Sequence, residues 1–358
     1  MIIRKNKNVN GEIVKKEVSI KISLYSFFMT CCIVLYHAHI GEPTAYLNLL
    51  DEKMYIFFTN LIDGLGHMAM GYFFTTTGFL TYYNLNENNI KKKLIRRIRS
   101  LLVPYTIWNF LYYLYYLIIK REVFAYSVKE FLIKMVFRPF DGATWYLLVV
   151  FVLALFSPFF LKILKNRKLS KKIYILLVVG SFCCTVYFAD LVYKIPYGFY
   201  FERIIRYMPN YFFGALIGMN FFMNIGKEEG KSNVIAKILF VITLVIIGWG
   251  NIDTALKWWI QRIQPISLWF VTSSKSEIYK KELAGVCGSF FIIYVMHGLE
   301  LEVLNAMISR LLTLSFFGCG IIITRILLMI IVVVWSYGIW KLLNRFAPKS
   351  LKILTGGR

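Results

Sequence analysis

The sequence predicts an all-α protein, a polytopic membrane helical bundle with about ten transmembrane helices. Hydrophobic residues make up 58% of the 358-residue chain and charged residues only 17%, whereas about 45–50% of a typical soluble domain is apolar. The apolar residues also fall into long runs, and a bilayer core of ~30 Å needs about 20 of them in one helix. A soluble domain of this length has too little interior to bury so much apolar surface.

Ten apolar runs meet or approach the length of a membrane span. They cover residues 22–39, 67–83, 101–119, 143–161, 173–189, 205–223, 235–250, 258–273, 283–297 and 317–340. The eighth run is the weakest, because it contains Arg262, Gln264 and Pro265. Two further segments, 127–137 and 299–314, carry their apolar residues on one helical face and are predicted to be interfacial helices.

The basic residues predict the orientation of these helices. The chain carries 42 Lys and Arg against 19 Asp and Glu, which gives a net charge of +23. If all ten runs span the bilayer, the side of the N-terminus holds more than twice as many Lys and Arg as the opposite side. The positive-inside rule then predicts cytoplasmic N- and C-termini. This topology explains the basic charge through the lipid bilayer, and no nucleic acid partner is expected.

The chain is expected to form one membrane unit. Residues 1–20 are predicted to be a basic cytoplasmic N-terminal tail, 21–345 the transmembrane domain and 346–358 a cytoplasmic C-terminal tail. The six cysteines lie in apolar stretches and form no CxxC pair, so no metal site is predicted. The phosphate-binding GxxxxGK[ST] loop, HExxH and GxSxG are absent from the sequence. Gly214 and Gly218 form a GxxxG pattern, which favours close helix packing.

Four histidines are candidates for acid–base chemistry, because ionisable groups within spans are costly and are often functional. His37 lies toward the end of the first span, and His39 lies ~200° further round the same helix, so the two cannot face one site. His67 and His297 lie in other runs. For each, the alternative is a neutral histidine bonded to a backbone carbonyl. His37 is the strongest candidate for a general base.

A cluster of basic residues precedes the third run. Its members are Lys91, Lys92, Lys93, Arg96, Arg97 and Arg99. Arg96 and Arg99 are three positions apart on one helix face and could therefore grip a single phosphate group. The alternative is a stop-transfer cluster that only fixes the topology.

Six segments, taken in order along the chain, resemble the motifs of one family. They are Cys32–His37, Gly71–Phe79, Arg96–Asn109, Gly142–Leu147, Tyr211–Gly214 and Ile293–Gly298. These segments are similar to motifs of the acyltransferase 3 family of integral membrane O-acyltransferases, and the resemblance covers about residues 20–345. Two positions depart from the family pattern. Ser26 stands where many members have an arginine, eleven positions before the histidine, and Thr77 replaces a serine.

The resemblance implies an acyltransferase that moves an acyl group, usually acetyl, from cytoplasmic acyl-CoA to a hydroxyl group. The acceptor would be a cell-surface polysaccharide or a lipid-linked glycan, and the protein would be a multi-pass protein of a bacterial plasma or inner membrane. Acetyl-CoA would serve as a substrate, and no permanently bound cofactor is implied.

The resemblance also implies roles for particular residues. His37 would be the catalytic base, and Arg96 and Arg99 would bind the phosphates of coenzyme A. Trp145, Tyr146 and His297 are the candidates for substrate binding, and Trp108 could also stack on a sugar or adenine ring. Lys21, or the pair Arg96 and Arg99, would have to replace the arginine that is missing at Ser26.

A transporter or flippase for a glycan or a lipid-linked sugar is the alternative from a different class. An outer basic set, formed by Lys194, Arg203 and Arg206, would suit an anionic cargo. Repeated halves with broken helices at matching positions would indicate a transporter, and the sequence contains no such halves. A membrane sensor without catalysis would be favoured if His37 proved dispensable.

Overall fold

The computed structural model describes residues 2–38, 52–121, 127–137, 139–195, 197–224, 231–250, 252–271, 286–312 and 321–357. Within these ranges the chain is helical and contains no β-strand. The helices are α1 (Ile2–His37), α2 (Glu52–Tyr82), α3 (Ile90–Arg97), α4 (Val103–Ile118), α5 (Val128–Phe137), α6 (Trp145–Leu155), α7 (Ser157–Lys165), α8 (Arg167–Phe182), α9 (Ala189–Lys194), α10 (Gly198–Asn224), α11 (Lys231–Trp249), α12 (Thr254–Val271), α13 (Phe290–Leu312), α14 (Ile321–Phe346) and α15 (Pro348–Leu354). Short π-helical segments, Ile98–Leu102 and Cys183–Tyr187, follow α3 and α8.

Five helical segments in the described ranges are long and apolar enough to cross a bilayer. They are Val18–His37, Ile90–Ile118, Arg167–Tyr187, Phe290–Met307 and Ile322–Phe346. A sixth is present if α6 and α7 form one span with a bend of 55° between them. Pro158 in the first turn of α7 accounts for this bend, because proline cannot donate a backbone hydrogen bond to the preceding helix.

The other four predicted spans coincide with α2, α10, α11 and α12, which are less apolar or shorter. In α10 and α12 the hydropathy is lowered by polar side chains that are buried among the helices, including Glu202, Asn210, Gln261, Arg262 and Gln264. The count of ten spans therefore stays a prediction for these four helices.

Helix α2 lies at the centre of the bundle and contacts α1, α10, α11 and α12. Its backbone approaches that of α10 so closely that a Cβ atom on Gly214 would overlap the carbonyl oxygen of Thr75. A Cβ atom on Gly218 would lie 2.7 Å from the carbonyl oxygen of Phe79. The GxxxG prediction of close helix packing is confirmed.

Segment 127–137 is helical, as predicted, but the separate interfacial helix at 299–314 is wrong. Residues 299–312 continue the helix that begins at Phe290, so one helix, α13, replaces the two predicted elements within the described residues. Two glutamates in this continuation, Glu300 and Glu302, are both paired. Glu300 accepts hydrogen bonds of 2.7 and 2.8 Å from the Ser336 hydroxyl, and Glu302 lies 2.6 Å from the Lys120 ammonium.

The C-terminal residues dock onto the same end of the bundle as the start of the apolar part of α1. The Trp108 indole N–H donates to the Leu354 carbonyl at 3.0 Å. Gly356 adopts a left-handed φ of +66°, and a Cβ atom there would lie 2.5 Å from the Ser100 carbonyl oxygen. Trp108 is thus buried as an anchor for the C-terminal turn, which is incompatible with the expected stacking on a sugar or adenine ring.

Candidate active site

A cavity of about 1020 Å³ opens at the end of the bundle that holds the C-terminal turn. Its walls come from the first half of the apolar part of α1, the end of α2, the segment joining α3 to α4, the start of α13 and the residues after α15. Ligand pockets commonly measure ~300–1,000 Å³, so this cavity has room for a large ligand.

The predicted pair Arg96 and Arg99 is brought together, because both side chains line this cavity. Arg97 lines it as well, and its guanidinium donates a 2.7 Å hydrogen bond to the Thr81 hydroxyl. The helix changes from α to π at Ile98, which widens the turn and lets three neighbouring arginines reach one space. Sequence reasoning missed Arg97 because it assumed a uniform α-helix.

The two candidates for replacing the missing arginine at Ser26 differ in position. Ser26 is buried and lines the cavity. The Lys21 ammonium instead donates to the Trp269 carbonyl at 2.8 Å and lies over the Trp269 ring, 6.0 Å from its centroid. Lys21 thus ties α1 to α12 and is not among the residues that line the cavity. The cations that line it together with Ser26 are Arg96, Arg97, Arg99, Lys93 and Lys352.

Tyr146, predicted to bind substrate, forms part of the deep wall of this cavity. Its hydroxyl lies 2.6 Å from the Thr77 hydroxyl and donates to the Phe73 carbonyl at 3.1 Å. Because Tyr146 has only one hydroxyl proton, the Thr77 hydroxyl donates to Tyr146. Thr77 therefore keeps the polar contact of the serine that it replaces. The Tyr294 hydroxyl donates to the Ala143 carbonyl beside them.

The loop before α6 is held by Asp141, which fixes the position of Trp145 and Tyr146. The Asp141 carboxylate accepts a 2.8 Å hydrogen bond from the Ala143 amide. The backbone carbonyl of Asp141 accepts a 3.0 Å hydrogen bond from the Thr144 hydroxyl. Burial raises the pKa of Asp141 to about 7, because the charged form is poorly solvated there.

His37 is the last residue of α1, and its ring centroid lies 5.3 Å from that of His297. His37 is exposed, whereas His297 is buried. Nδ1 of His297 lies 2.6 Å from the Tyr294 carbonyl oxygen. A carbonyl can only accept, so Nδ1 of His297 carries the proton. His297 thus makes the carbonyl contact expected of a structural histidine and also lies against His37.

The last turn of α1, which carries His37, is capped by a buried arginine of α14. The Arg325 guanidinium donates to the Tyr36 carbonyl at 3.2 Å and approaches the Leu35 carbonyl at 3.5 Å. A cation at a helix C-terminus satisfies the last carbonyls and interacts favourably with the helix dipole. Arg325 therefore fixes the backbone that positions His37.

Tyr294 separates the cavity from the two histidines. It lines the cavity, and its ring centroid lies 6.1 Å from that of His297. Along α1, Ser26 in the cavity wall and His37 are eleven residues apart, or ~16 Å at 1.5 Å per residue. The basic cavity and the histidine pair thus lie at different depths of one bundle, with a tyrosine between them.

Trp145 and the outer basic residues lie elsewhere. The Trp145 ring packs on Phe74 and Tyr207, and the Arg203 guanidinium lies 5.3 Å from its centroid. Of the predicted outer set, Lys194 is exposed at the end of α9, and Arg203 and Arg206 lie on α10. His67 lies 5.8 Å from Tyr36, between ring centroids, and His39 falls outside the described residues.

The comparison with protein families identifies this chain. The model of the acyltransferase 3 family, described as an acyltransferase domain, matches residues 27–341, which is nearly the whole chain. The protein therefore belongs to this family of acyltransferases, and its apolar helices make it a multi-pass membrane protein. Comparison with curated proteins and with solved structures gives no significant match.

Proposed function

We propose that this protein is a membrane O-acyltransferase of a bacterial plasma membrane. It transfers an acyl group, in the simplest case acetyl, from cytoplasmic acyl-CoA to a hydroxyl of a surface polysaccharide or lipid-linked glycan. The observation that carries the proposal is the arrangement along α1, where a basic cavity lies at one depth and an exposed histidine at another. That arrangement suits a reaction whose two substrates come from opposite sides of a bilayer.

The basic cavity suits the donor. Coenzyme A carries several phosphate groups, and Arg96, Arg97 and Arg99 line one wall of a space of about 1020 Å³. Charge-assisted hydrogen bonds from arginine to phosphate are strong and geometrically specific. The extended pantetheine arm would lead from these arginines past Tyr146 and Tyr294 toward His37.

The histidine pair suits the chemistry. In the proposed reaction the His37 imidazole accepts the proton of the acceptor hydroxyl while the hydroxyl oxygen attacks the thioester carbonyl carbon. The carbon–sulfur bond breaks, an ester forms, and the thiolate of coenzyme A takes the proton from the imidazolium. His297 packs beside His37 and holds its ring in place, with its own Nδ1–H committed to the Tyr294 carbonyl.

The test is the O-acyl content of surface polysaccharide, measured by mass spectrometry. The cells have lost the wild-type gene and carry a variant in its place. His37→Gln keeps hydrogen-bonding capacity and most of the volume, so the protein should reach wild-type levels on an immunoblot. Loss of a general base should lower the transfer rate ~10²–10⁴-fold. His39→Gln is the matched control and should keep most of the acylation.

If His37→Gln cells acylate their polysaccharide at a rate near that of wild type, the proposed mechanism is wrong. Loss of the protein itself would instead indicate that the histidine has a structural role. Acylation that is equally absent in cells with the wild-type gene and in cells without it would contradict the choice of substrate class.

A further inference from the structure

Four cations of α10 and α12 interact electrostatically with His67 of α2. Arg203, Arg206, Lys257 and Arg262 all lie within electrostatic reach of its ring. We call these four residues, three arginines and one lysine, the arginine cluster. Helix α10 supplies the first two and α12 the others, so the cluster forms only when the helices of the bundle pack together.

Acidic residues do not balance this charge in the part of the chain that the structure describes. Glu202 is fully buried, bonds to Nε of Arg206 and lies 3.5 Å from Arg203. Asp63 interacts electrostatically with Tyr36, as Arg203 also does, and Asp253 lies one helical turn before Lys257. The four cations therefore outnumber these three carboxylates by one.

Arg262 shows the imbalance most clearly. Only 6% of it is exposed, and no carboxylate among the described residues lies within ion-pair distance of it. Its guanidinium donates to the Arg206 carbonyl at 2.9 Å and lies 4.7 Å from the centroid of the Trp258 ring. Glu202 interacts with Arg262 electrostatically but is bonded to Arg206. A buried cation without an ion pair of its own is costly, so this pocket favours an anion that comes from outside the chain.

One buried amide provides an independent sign of a ligand at the same junction. Asn210 is 1% exposed, and in the part of the chain that the structure describes neither its side-chain nitrogen nor its side-chain oxygen has a hydrogen-bond partner. Asn210 lies one turn from Arg206, and a Cβ atom on Gly71 would be 3.4 Å from its amide nitrogen. Buried amides normally have partners, and sugar hydroxyls can both donate to and accept from them.

The arginine cluster is partly exposed, and the Tyr36 ring connects His67 with His37. The side chains of Arg203 and Arg206 keep 23% and 19% of their exposure. The Tyr36 ring centroid lies 5.8 Å from that of His67 and 4.8 Å from that of His37. A ligand held at the arginine cluster is therefore two ring contacts away from the proposed base.

We propose that the arginine cluster binds the carboxylate or phosphate group of an anionic glycan, with Asn210 binding one of its hydroxyl groups. The binding site stands on charge and geometry alone. Its role as the acceptor site, which places a hydroxyl of the glycan at His37, rests on the proposed acyl transfer.

The test is direct binding to the purified full-length protein by isothermal titration calorimetry, in a neutral detergent without acyl donor. Three probes separate the sources of negative charge: methyl glucuronoside for a carboxylate, glucose 1-phosphate for a phosphate and methyl glucoside as the neutral reference. We expect at least one of the two anionic probes to bind ten-fold or more tightly than the neutral one. The tighter of the two identifies the anionic group of the natural ligand.

Two variants with opposite expected effects keep the test independent of stability. Arg203→Gln removes a partly exposed member of the cluster and should weaken binding of the preferred anionic probe about ten- to a hundred-fold. Glu202→Gln removes the competing carboxylate and should strengthen binding of this probe several-fold. The controls should leave probe binding unchanged. They are Arg96→Gln, at the proposed donor cavity, and Lys194→Gln, on the exposed end of α9.

Equal affinity for charged and neutral probes would overturn the proposal. So would an anion preference that survives Arg203→Gln but disappears with Arg96→Gln, because the probes would then be binding in the donor cavity. These titrations measure binding and do not depend on acyl transfer. If the protein proved to have no acyltransferase activity but still bound the anionic probe, the proposed function would fail and the anion site would stand.

Discussion

Arg97 and Lys92 belong to one basic segment but have different surroundings. Arg97 lines the cavity and is bonded to the Thr81 hydroxyl. Lys92 is exposed and is not part of the cavity wall. A charge that only fixes topology should act similarly at both positions, whereas a ligand contact should matter only where the side chain reaches the ligand.

The first prediction at this scale therefore compares single charge removals within that segment. Arg97→Gln and Arg99→Gln should each weaken acetyl-CoA binding about ten- to a hundred-fold, because each removes a charge-assisted hydrogen bond of ~1.5–3 kcal/mol. Lys92→Gln should change it less than about two-fold. Calorimetric titration of the purified variants measures this difference. If all three variants lost the same amount of acetyl-CoA affinity, the arginines would be no more than stop-transfer charges.

Residue types and spacing identified Arg96, Arg99 and His37 as candidates, because each carries chemistry that a membrane helix rarely tolerates. The sequence also placed Arg203 and Arg206 in an outer basic set, but it could not add Lys257 or Arg262 to them. Arg206 and Arg262 are 56 positions apart, and they meet only because α10 and α12 both pack on α2. The roles of all these residues stay predictions.

At the scale of elements, the contact between α2 and α10 depends on residues that have no side chain. A Cβ atom on Gly78 would overlap the Tyr211 carbonyl, and one on Gly214 would overlap the Thr75 carbonyl. Both overlaps are with backbone atoms, which cannot move unless the helices separate. Thr77 and Arg206 lie on these two helices, so the spacing of α2 and α10 affects both the cavity and the arginine cluster.

Gly214→Ala should therefore destabilise the protein by ~1–3 kcal/mol or more, as expected when a close-packed contact is overfilled. Gly180→Ala is the matched control, because Gly180 also lies within a helix and a Cβ atom there would meet nothing within 4 Å. That change should be neutral or slightly stabilising. Thermal unfolding in detergent tests the pair, and an unchanged melting temperature for Gly214→Ala would contradict the close packing.

The helical elements were largely predictable, because each apolar run meets or approaches the length of a membrane span. The main error was at α13, where a span at 283–297 and a separate interfacial helix at 299–314 were predicted instead of one helix. Glu300 and Glu302 in this helix are satisfied by partners far away in sequence, Ser336 and Lys120. Polar residues that are paired across the bundle do not end a helix, and a local pattern cannot reveal such partners.

At the scale of the whole molecule, α2, α11 and α12 decide how many times the chain crosses the bilayer. Gly250, at the end of α11, lies against Asn60 near the start of α2. Helix α12 then ends near Trp269. The Trp269 carbonyl accepts a hydrogen bond from Lys21 at the level of the basic cavity. Helix α12 thus runs from the level of the first turns of α2 to the level where α2 ends, even though its buried Gln261, Arg262 and Gln264 lower its hydropathy.

The last prediction is therefore a topology with ten spans and both termini in the cytoplasm. Reporter fusions after Asn251 and after Lys275 should report opposite sides of the membrane, because α12 lies between them. A fusion at Arg358 should report the same side as Lys275, since the C-terminal turn and the start of the apolar part of α1 line one cavity and basic segments remain inside. Reports from the same side for Asn251 and Lys275 would remove α12 as a span. The number of spans would then no longer be even.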